Sequence, residues 1–572
     1  MRKECKEHIK YFLKNKYFIG LLLLSTLAGY GYVLTHGTNG IDDISIDLYF
    51  EKGIGVAIGR WPYYLVNKII PIAEYVPFWG DFITILLLLI SAVAWCVLLR
   101  MLVQKDVSIW AYIIFAIWFM DYSMNADVFV FYLQNGLGWL HLFIVLSLMT
   151  FLYLYRNQII VKKQIILRIG MIACLTLAIS FYESAANVFL TGMLLILFID
   201  LWIQREESVF RGKKFLLALI FAGRYLIYAM LGRRIIRAVI MRVFGVSAYT
   251  FYRSPASIEW LVKGGVSQIG ENISQLCARL YCDYFAMAVT YYPILIFVIC
   301  SVIFLATMIC STWKRKDVLL FLAGVGAYIS LFVLSVISGK AMEYRACQAF
   351  TIFVAVVSFG IVAIFMKGKK VLQVGVTVIM SAAILFSIYD MNQWFVLDYE
   401  KTKYEMMVID EIAGDLKSGK YNIEEKPIVI VGDFELPDEI YNKYCVTDEE
   451  TGWKIIENAV VNADKSTNRV DAGRFCYGQN FSSMIDWSIH AFAMHFGYNV
   501  PIQQFFEYRG HDEFIWASPE VTERVFKMYY PLDWEYYSYT YIELYEENYN
   551  GAAQYPKDGY IEELEDCIVI RL

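Results

Sequence analysis

The sequence predicts a polytopic α-helical membrane protein of about 11 transmembrane helices, followed by a C-terminal water-soluble α/β domain. Three observations predict it. Of 572 residues, 58% are hydrophobic and only 18% charged, with a mean hydropathy of +0.48; a soluble domain sits near about 45–50% apolar and about 25% charged. Apolar runs of about 18 residues or more, long enough to cross a bilayer, recur through the first two thirds of the chain. Charge is also split: residues 391–572 hold 34 Asp and Glu against 15 Lys and Arg, a net −19, which leaves +14 for residues 1–390. This composition excludes an ordinary cytosolic enzyme, a disordered chain, a collagen-like chain and a disulfide scaffold.

The chain opens with a basic stretch over 2–16. The apolar run 17–34 behind it exceeds a signal peptide's core of about 7–15 residues, so it reads as a retained first helix. Further spans are expected near 82–104, 107–120, 137–155, 165–181, 187–203, 214–232, 289–311, 317–338, 348–366 and 371–389. A long first outer loop, 35–81, separates the first two. Its second part alternates apolar faces with Arg60 and Lys68, which suits a helix at the membrane surface. The stretch 233–288, with Arg233, Arg234, Arg237 and Arg242, has the spacing of amphipathic helices lying on the membrane. The alternative, a further span over 234–250, would turn the basic loops 314–316 and 367–370 to the outside.

Basic clusters set the sidedness. Residues 2–16, Arg100 and Lys105, Arg156 to Arg168, Arg205 to Lys214, Lys314 to Lys316 and Lys367 to Lys370 all fall on one side, and the short loops opposite are nearly free of Lys and Arg. By the positive-inside asymmetry the N-terminus is cytoplasmic and the acidic domain 391–572 is extracytoplasmic. That domain is long enough to bury a core of its own. A helix is expected over 401–417, a strand over 428–431 after Pro427 and closed by Gly432 and Asp433, a helix over 484–496 and a terminal strand over 567–572, hence α/β.

Eleven cysteines include no CxxC. Cys96, Cys174, Cys300 and Cys310 lie in apolar runs and read as small core residues. Cys445, Cys476 and Cys567 make an odd number in the tail, which argues against a full disulfide framework.

Chemistry-bearing residues gather on the predicted outer side. Asp42 and Asp43 stand just behind the first span, with Asp47 one helical turn on. Adjacent carboxylates near a low-dielectric boundary push one pKa upward, which suits a general base; Asp is also a good N-cap, so a solvated helix start is the other reading. Arg60, in GRWP, can clamp a phosphate bidentately or anchor the chain at the interface beside Trp61. One short loop offers Asp121, Asn125, Asp127, Gln134 and Asn135. Tyr182 and Glu183 cap the fifth span, and another loop carries Lys340, Glu343 and Arg345. Ionisable groups at membrane depth are costly to keep and mark function by default. Together they form an outward cavity with carboxylates for a hydroxylic ligand and cations for a phosphate, although Glu343 and Arg345 can equally neutralise each other.

Other chemistries lack their residues. His36 and His141 are isolated and read as hydrogen-bonded structural residues. His490 and His495 are five apart, a poor spacing for a shared metal. No metal site and no cofactor is predicted. Neither a Walker A sequence nor a Rossmann glycine fingerprint is present, and an acidic tail argues against nucleic acid as its partner. The aromatic stretch 528–555 reads chiefly as the core of a small domain, with sugar stacking as the alternative.

A first span, a long outer loop with the pair Asp42–Asp43, then Gly59-Arg60-Trp61, many further spans and an outer C-terminal domain together resemble the GtrII-like branch of the GT-C membrane glycosyltransferases. Those are glucosyltransferases that decorate bacterial surface polysaccharides. The recognisable motifs lie mostly in 20–70, with weaker echoes at Tyr182-Glu183 and Arg345. The resemblance implies a donor sugar on a polyprenyl-phosphate carrier, an envelope glycan acceptor such as O-antigen or teichoic acid, and a bacterial cytoplasmic membrane as the site of action. It makes Asp42 or Asp43 the general base and Arg60 or Arg345 the ligand of the leaving phosphate, with inversion at the sugar carbon. Asn125, Asp127, Glu183 and Glu343 are then candidates for acceptor or sugar contacts. The acidic tail matches no defined family function.

Two other readings compete. A transporter or flippase of lipid-linked sugars would need charges or broken helices near mid-membrane, and Arg224 within the seventh span is the one residue favouring it. A non-catalytic surface-assembly protein would use the tail to bind glycans.

Overall fold

The computed structural model describes residues 2–38, 53–69, 77–103, 107–129, 136–156, 161–203, 211–246, 258–285, 288, 291–366 and 368–432, and beyond these 434, 436–437, 440, 445–446, 475–476, 484–485, 489, 500–529 and 553–572. They form two compact units. The first takes in the described residues of Met1–His36, Tyr49–Phe129 and Gln134–Gln393; the second takes in those of Trp394–Leu572, with Gly37 and Thr38.

The first unit is helical. Its order is α1 (Arg2–Leu13), α2 (Lys16–Thr35), a single turn at Ile54–Ala57, α3 (Trp61–Ile69), α4 (Pro77–Val103), α5 (Ile109–Asp121), α6 (Leu137–Arg156), α7 (Val161–Phe181), α8 (Ala185–Ile203), α9 (Arg211–Phe244), α10 (Ile269–Tyr284), α11 (Tyr292–Arg315), α12 (Val318–Ser330), α13 (Val333–Ser338), α14 (Gln348–Phe365) and α15 (Lys370–Leu416), the last continuing into the second unit. Among the described residues nine helices, α2, α4, α6, α7, α8, α9, α11, α14 and α15, are long and apolar enough to cross a membrane. This is the architecture of a polytopic membrane protein.

Burial explains the layout. In α5 every residue from Ala111 to Asp121 is buried, and α14 is buried from Gln348 to Phe359. A helix apolar all round belongs in an interior, and these two pack on each other at the centre, with α2 against α5 and α8 beside α14. The edge helix α9 instead leaves Leu216, Ile220, Ile227 and Leu231 exposed, as a lipid-facing surface does. Start signals are local: Asn15 accepts from the Phe18 amide at 2.9 Å and Asp317 from the Leu320 amide at 3.1 Å, each capping a helix N-terminus.

Two expectations change, at 317–338 and after residue 232. The short span expected at 107–120 is the 13-residue helix α5, and the one expected at 317–338 opens as a 13-residue helix, α12. The second breaks at Leu331 before resuming as α13; the freed Leu331 carbonyl accepts from Asn187 Nδ2 at 3.2 Å, and Thr191 and Ser330 share a hydroxyl bond of 2.8 Å beside it. These polar side chains of α8 compensate the interrupted ladder. The arginine-rich stretch after residue 232 does not begin a separate helix, nor a further span: α9 runs unbroken to Phe244, where Gly245 (φ +67°) turns the chain and the Val246 amide returns to the Met241 carbonyl at 2.9 Å. That is a Schellman stop, and no breaker precedes it. The separate amphipathic helix of the region is α10.

In the second unit, β1 (Ile428–Val431) lies parallel to β5 (Ile568–Arg571), and β4 (Ile561–Glu563) is antiparallel to β5, giving the order β1-β5-β4. A second ladder of two residues per strand joins β2 (Cys445–Val446) to β3 (Phe475–Cys476). Both β1 and β5 are buried throughout, as parallel strands covered on two faces are. Val408, Ile409, Ile412 and Leu416 of α15, with Phe505 and Phe506 of α16 (Val500–Tyr508) and Val525 of α17 (Pro519–Tyr529), complete this core.

Candidate functional site

The site is built from three chain segments of the first unit. The first is the turn before α3. Gly53 (φ +69°) and Gly59 (φ +97°) occupy left-handed backbone, which glycine alone adopts without strain. The Arg60 amide closes the turn on the Gly55 carbonyl at 2.7 Å. Trp61 is buried and Pro62, with its preset φ, starts the helix. Arg60 is thereby held at the end of a rigid loop.

The second segment joins α7 to α8. The Tyr182 amide bonds the Ala178 carbonyl at 3.1 Å, closing α7, while the Ala185 and Ala186 amides bond the carbonyls of Tyr182 and Glu183 at 3.1 and 3.2 Å, opening α8. Glu183 divides its carboxylate between two arginines. Oε2 lies 3.7 Å from Arg60 Nη2, and Oε1 accepts a short bond from Arg233 Nη2 of α9. The Arg60 guanidinium also stands 4.8 Å from the centroid of the Tyr182 ring, within cation–π range. Arg233 goes further: Nη2 donates to the Ile58 carbonyl at 3.0 Å and Nε to the Gly59 carbonyl at 3.4 Å.

The third segment is the loop before α14. Arg345 pairs with Glu343. Its amide donates to Asp127 Oδ2 at 2.7 Å, and its carbonyl accepts from Gln348 Nε2 at 3.2 Å. Gln348 Oε1 then faces His141 Nε2 at 3.3 Å. Because the amide nitrogen of Gln348 is committed to Arg345, the oxygen takes the His141 proton, which fixes that proton on Nε2. Asn125 donates to the Phe119 and Met120 carbonyls, both at 3.1 Å, and accepts from Thr351 at 3.0 Å, so it caps the end of α5.

The first two segments meet at Tyr182, where the Arg60 guanidinium stands over the ring, and the charges of Arg345 and Glu343 act on the same phenol from the third. Burial pushes that phenol up to about 12, the two arginines pulling against it, so Tyr182 is a neutral hydrogen-bond donor near pH 7. Burial alone would raise the Glu183 carboxyl. Arg60 and Arg233 outweigh it and hold the group, ionised, below the usual glutamate value. Arg60 and Arg233 on Glu183, and Arg345 on Glu343, set three guanidiniums near a phenol donor. Guanidiniums in such a setting are able to bind a phosphate and to stabilise negative charge on it.

The structure thus brings Arg60, Glu183, Glu343 and Arg345 into one region. Asp127 and Asn125 lie beneath it, both buried and bonded to backbone. Asp42 and Asp43, with Asp47, Gln134 and Asn135, fall outside the described residues, as do His490, His495 and most of 528–555. Among the described residues no three of His, Cys, Asp and Glu gather closely enough to hold a metal ion. Sequence reasoning missed Arg233, reading it as an interfacial charge. The signal was there: an arginine doublet on the side where other loops carry almost no basic residues.

No curated protein and no solved structure matches the chain. The family model described as Glucosyl transferase GtrII matches residues 31–365 and so takes in every residue of the three converging segments. A match over more than half the chain, on a polytopic helical scaffold, places the protein in the GtrII glucosyl transferase family.

Proposed function

We propose that the protein is a GT-C-type membrane glucosyltransferase that moves glucose from a polyprenyl-phosphate-linked donor to an envelope glycan on the outer face of a bacterial cytoplasmic membrane. Asp42 or Asp43 takes the proton of the acceptor hydroxyl. Attack in line with the leaving phosphate inverts the sugar carbon, and Arg60 and Arg345 hold that phosphate. Glu183 and Glu343 orient the cations and border the sugar; Asp127 and Asn125 support the loops from below. A donor anchored by an isoprenoid tail keeps its reacting carbon at the membrane surface, which is where loops between spans are found. Domain 391–572 is extracytoplasmic in this reading, beside the acceptor.

The observation that carries the proposal is Arg60, paired with Glu183 and set over the Tyr182 ring, with the charge of Arg345, 285 positions on in the chain, acting on the same phenol. The flippase reading loses support from Arg224, which is exposed on α9 rather than turned to an interior path across the unit. Two experiments test the proposal. Glycan analysis of envelopes with and without the protein is expected to show loss of a glucosyl branch, and unchanged glycans would overturn it. An Asp42→Asn/Asp43→Asn variant is expected to insert and fold normally while losing transfer. Full transfer by that variant would remove the proposed base, and a reporter at residue 42 facing the cytosol would end the outer-face assignment.

A further inference from the structure

We propose that Arg233 is the positioning residue of the donor-phosphate site and acts through Arg60. The inference rests on the donor reading above and adds a residue which that reading leaves out.

Arg233 makes contacts that no ordinary interfacial arginine needs. One guanidinium spans the Ile58 and Gly59 carbonyls of the turn that carries Arg60, and at the same time grips Glu183, whose other oxygen faces Arg60. A fork of fixed planar geometry can serve two carbonyls and a carboxylate at once; an ammonium on a flexible stem cannot hold all three in register. The guanidinium lies against the turn: a Cβ at Gly59, a position whose left-handed backbone already favours glycine, would stand 2.8 Å from Arg233 Cζ, so a side chain there would displace the arginine. The supporting helix is close-packed too, since a Cβ at Gly232 would touch Thr176 Oγ1 of α7 at 3.1 Å.

The consequence is mechanical and electrostatic together. Arg233 fixes the backbone on either side of residue 59 and occupies half of the Glu183 carboxylate. Were Arg233 lost, both Glu183 oxygens would turn on Arg60 and neutralise the cation offered to the phosphate. With Arg233 present, it takes the short contact with Glu183 and leaves Arg60 the longer one of 3.7 Å, with the Arg60 guanidinium set over the Tyr182 ring.

The test is a double-mutant cycle on the purified full-length protein, reading its affinity for polyprenyl phosphate in detergent micelles and, in parallel, glucosyl transfer. The proteins are wild type, Arg60→Ala, Arg233→Lys and the double variant. Arg233→Lys keeps the charge and is expected to weaken polyprenyl phosphate binding about tenfold, as a misplaced ligand does. In the Arg60→Ala background the same change is expected to cost nothing further, because the effect runs through Arg60. Gly59→Ala, which alters no charge, is expected to reproduce the Arg233→Lys loss and its dependence on Arg60. Losses that add, or an Arg233→Lys protein that binds like wild type, overturn this inference alone. An Arg60→Ala protein that binds like wild type overturns the donor reading and this inference with it.

Discussion

The amide of Arg345 donates to Oδ2 of Asp127 at 2.7 Å, joining two loops 218 positions apart in the chain. Asp127 is fully buried, so its carboxylate is there to hold a backbone. Asp127→Ala leaves the amide without this acceptor and frees the loop that carries Arg345. Transfer is expected to fall about tenfold or more, since small displacements of a charge-bearing loop cost heavily in the transition state. Asp127→Asn, which retains a carbonyl oxygen, is expected to keep most of the rate. Single-turnover transfer assays on the two variants check this.

Gln348 is the second tie on the same loop, bonded to the Arg345 carbonyl and to His141. Gln348→Leu strands both partners in a buried setting. An unsatisfied buried polar group costs about 1–3 kcal/mol, so the variant is expected to melt at a lower temperature in detergent. An unchanged melting curve would show that the Gln348 bridge does not stabilise the loop.

Glu183 gives the site a defined response to acid. Its carboxyl is held below the usual glutamate value, near 4.5, by Arg60 and Arg233, against the opposing pull of burial. A carboxyl with a depressed folded-state pKa stabilises the protein fully above its unfolded value, and that contribution disappears as pH falls through the folded value. The melting-temperature difference between wild type and Glu183→Gln is therefore expected to be constant above 4.5 and to close below it. A difference that already shrinks between pH 7 and 5 would contradict the assignment.

Arg571 anchors the second unit. Its buried guanidinium donates to the carbonyls of Gly559 and Ala553 at 2.8 and 3.0 Å and to the Tyr529 hydroxyl at 3.2 Å, and it pairs with Glu562. Arg571→Ala removes a cation from beside Glu562 and orphans two carbonyls at the sheet edge. A loss of about 2–4 kcal/mol is expected from such a deletion. Limited proteolysis of the full chain is expected to release fragments of 394–572 faster than in wild type, with the first unit unaffected.

Several parts of this arrangement were legible in sequence because they depend on neighbours along the chain. Apolar length located the long helices, and β1 and β5 follow from two short β-branched runs, at Pro427 and at the C-terminus. Arg60, Glu183 and Arg345 stood out as ionisable residues beside spans. What was not legible depends on pairs far apart. Nothing local announces that Gln348 and His141, separated by 207 positions, share a hydrogen bond. Nothing local announces either that the Asn125 amide closes the end of a helix. Arg233 followed a pattern that an interfacial helix also produces; only its contacts with the Ile58 and Gly59 carbonyls and with Glu183, all distant in sequence, tell the two apart.

Helix α9 carries Arg233 on a stem with no joint, since its first glycine stop comes at Gly245. Arg211 and Arg233 are 22 residues apart, about 33 Å along the axis, close to the roughly 30 Å of a bilayer's hydrocarbon layer. A helix longer than the hydrocarbon layer it crosses can lean, among other adjustments, to meet a thinner bilayer. A lean of α9 would carry Arg233 with it, and through Arg233 the Ile58 and Gly59 carbonyls and the Glu183 carboxylate that it holds.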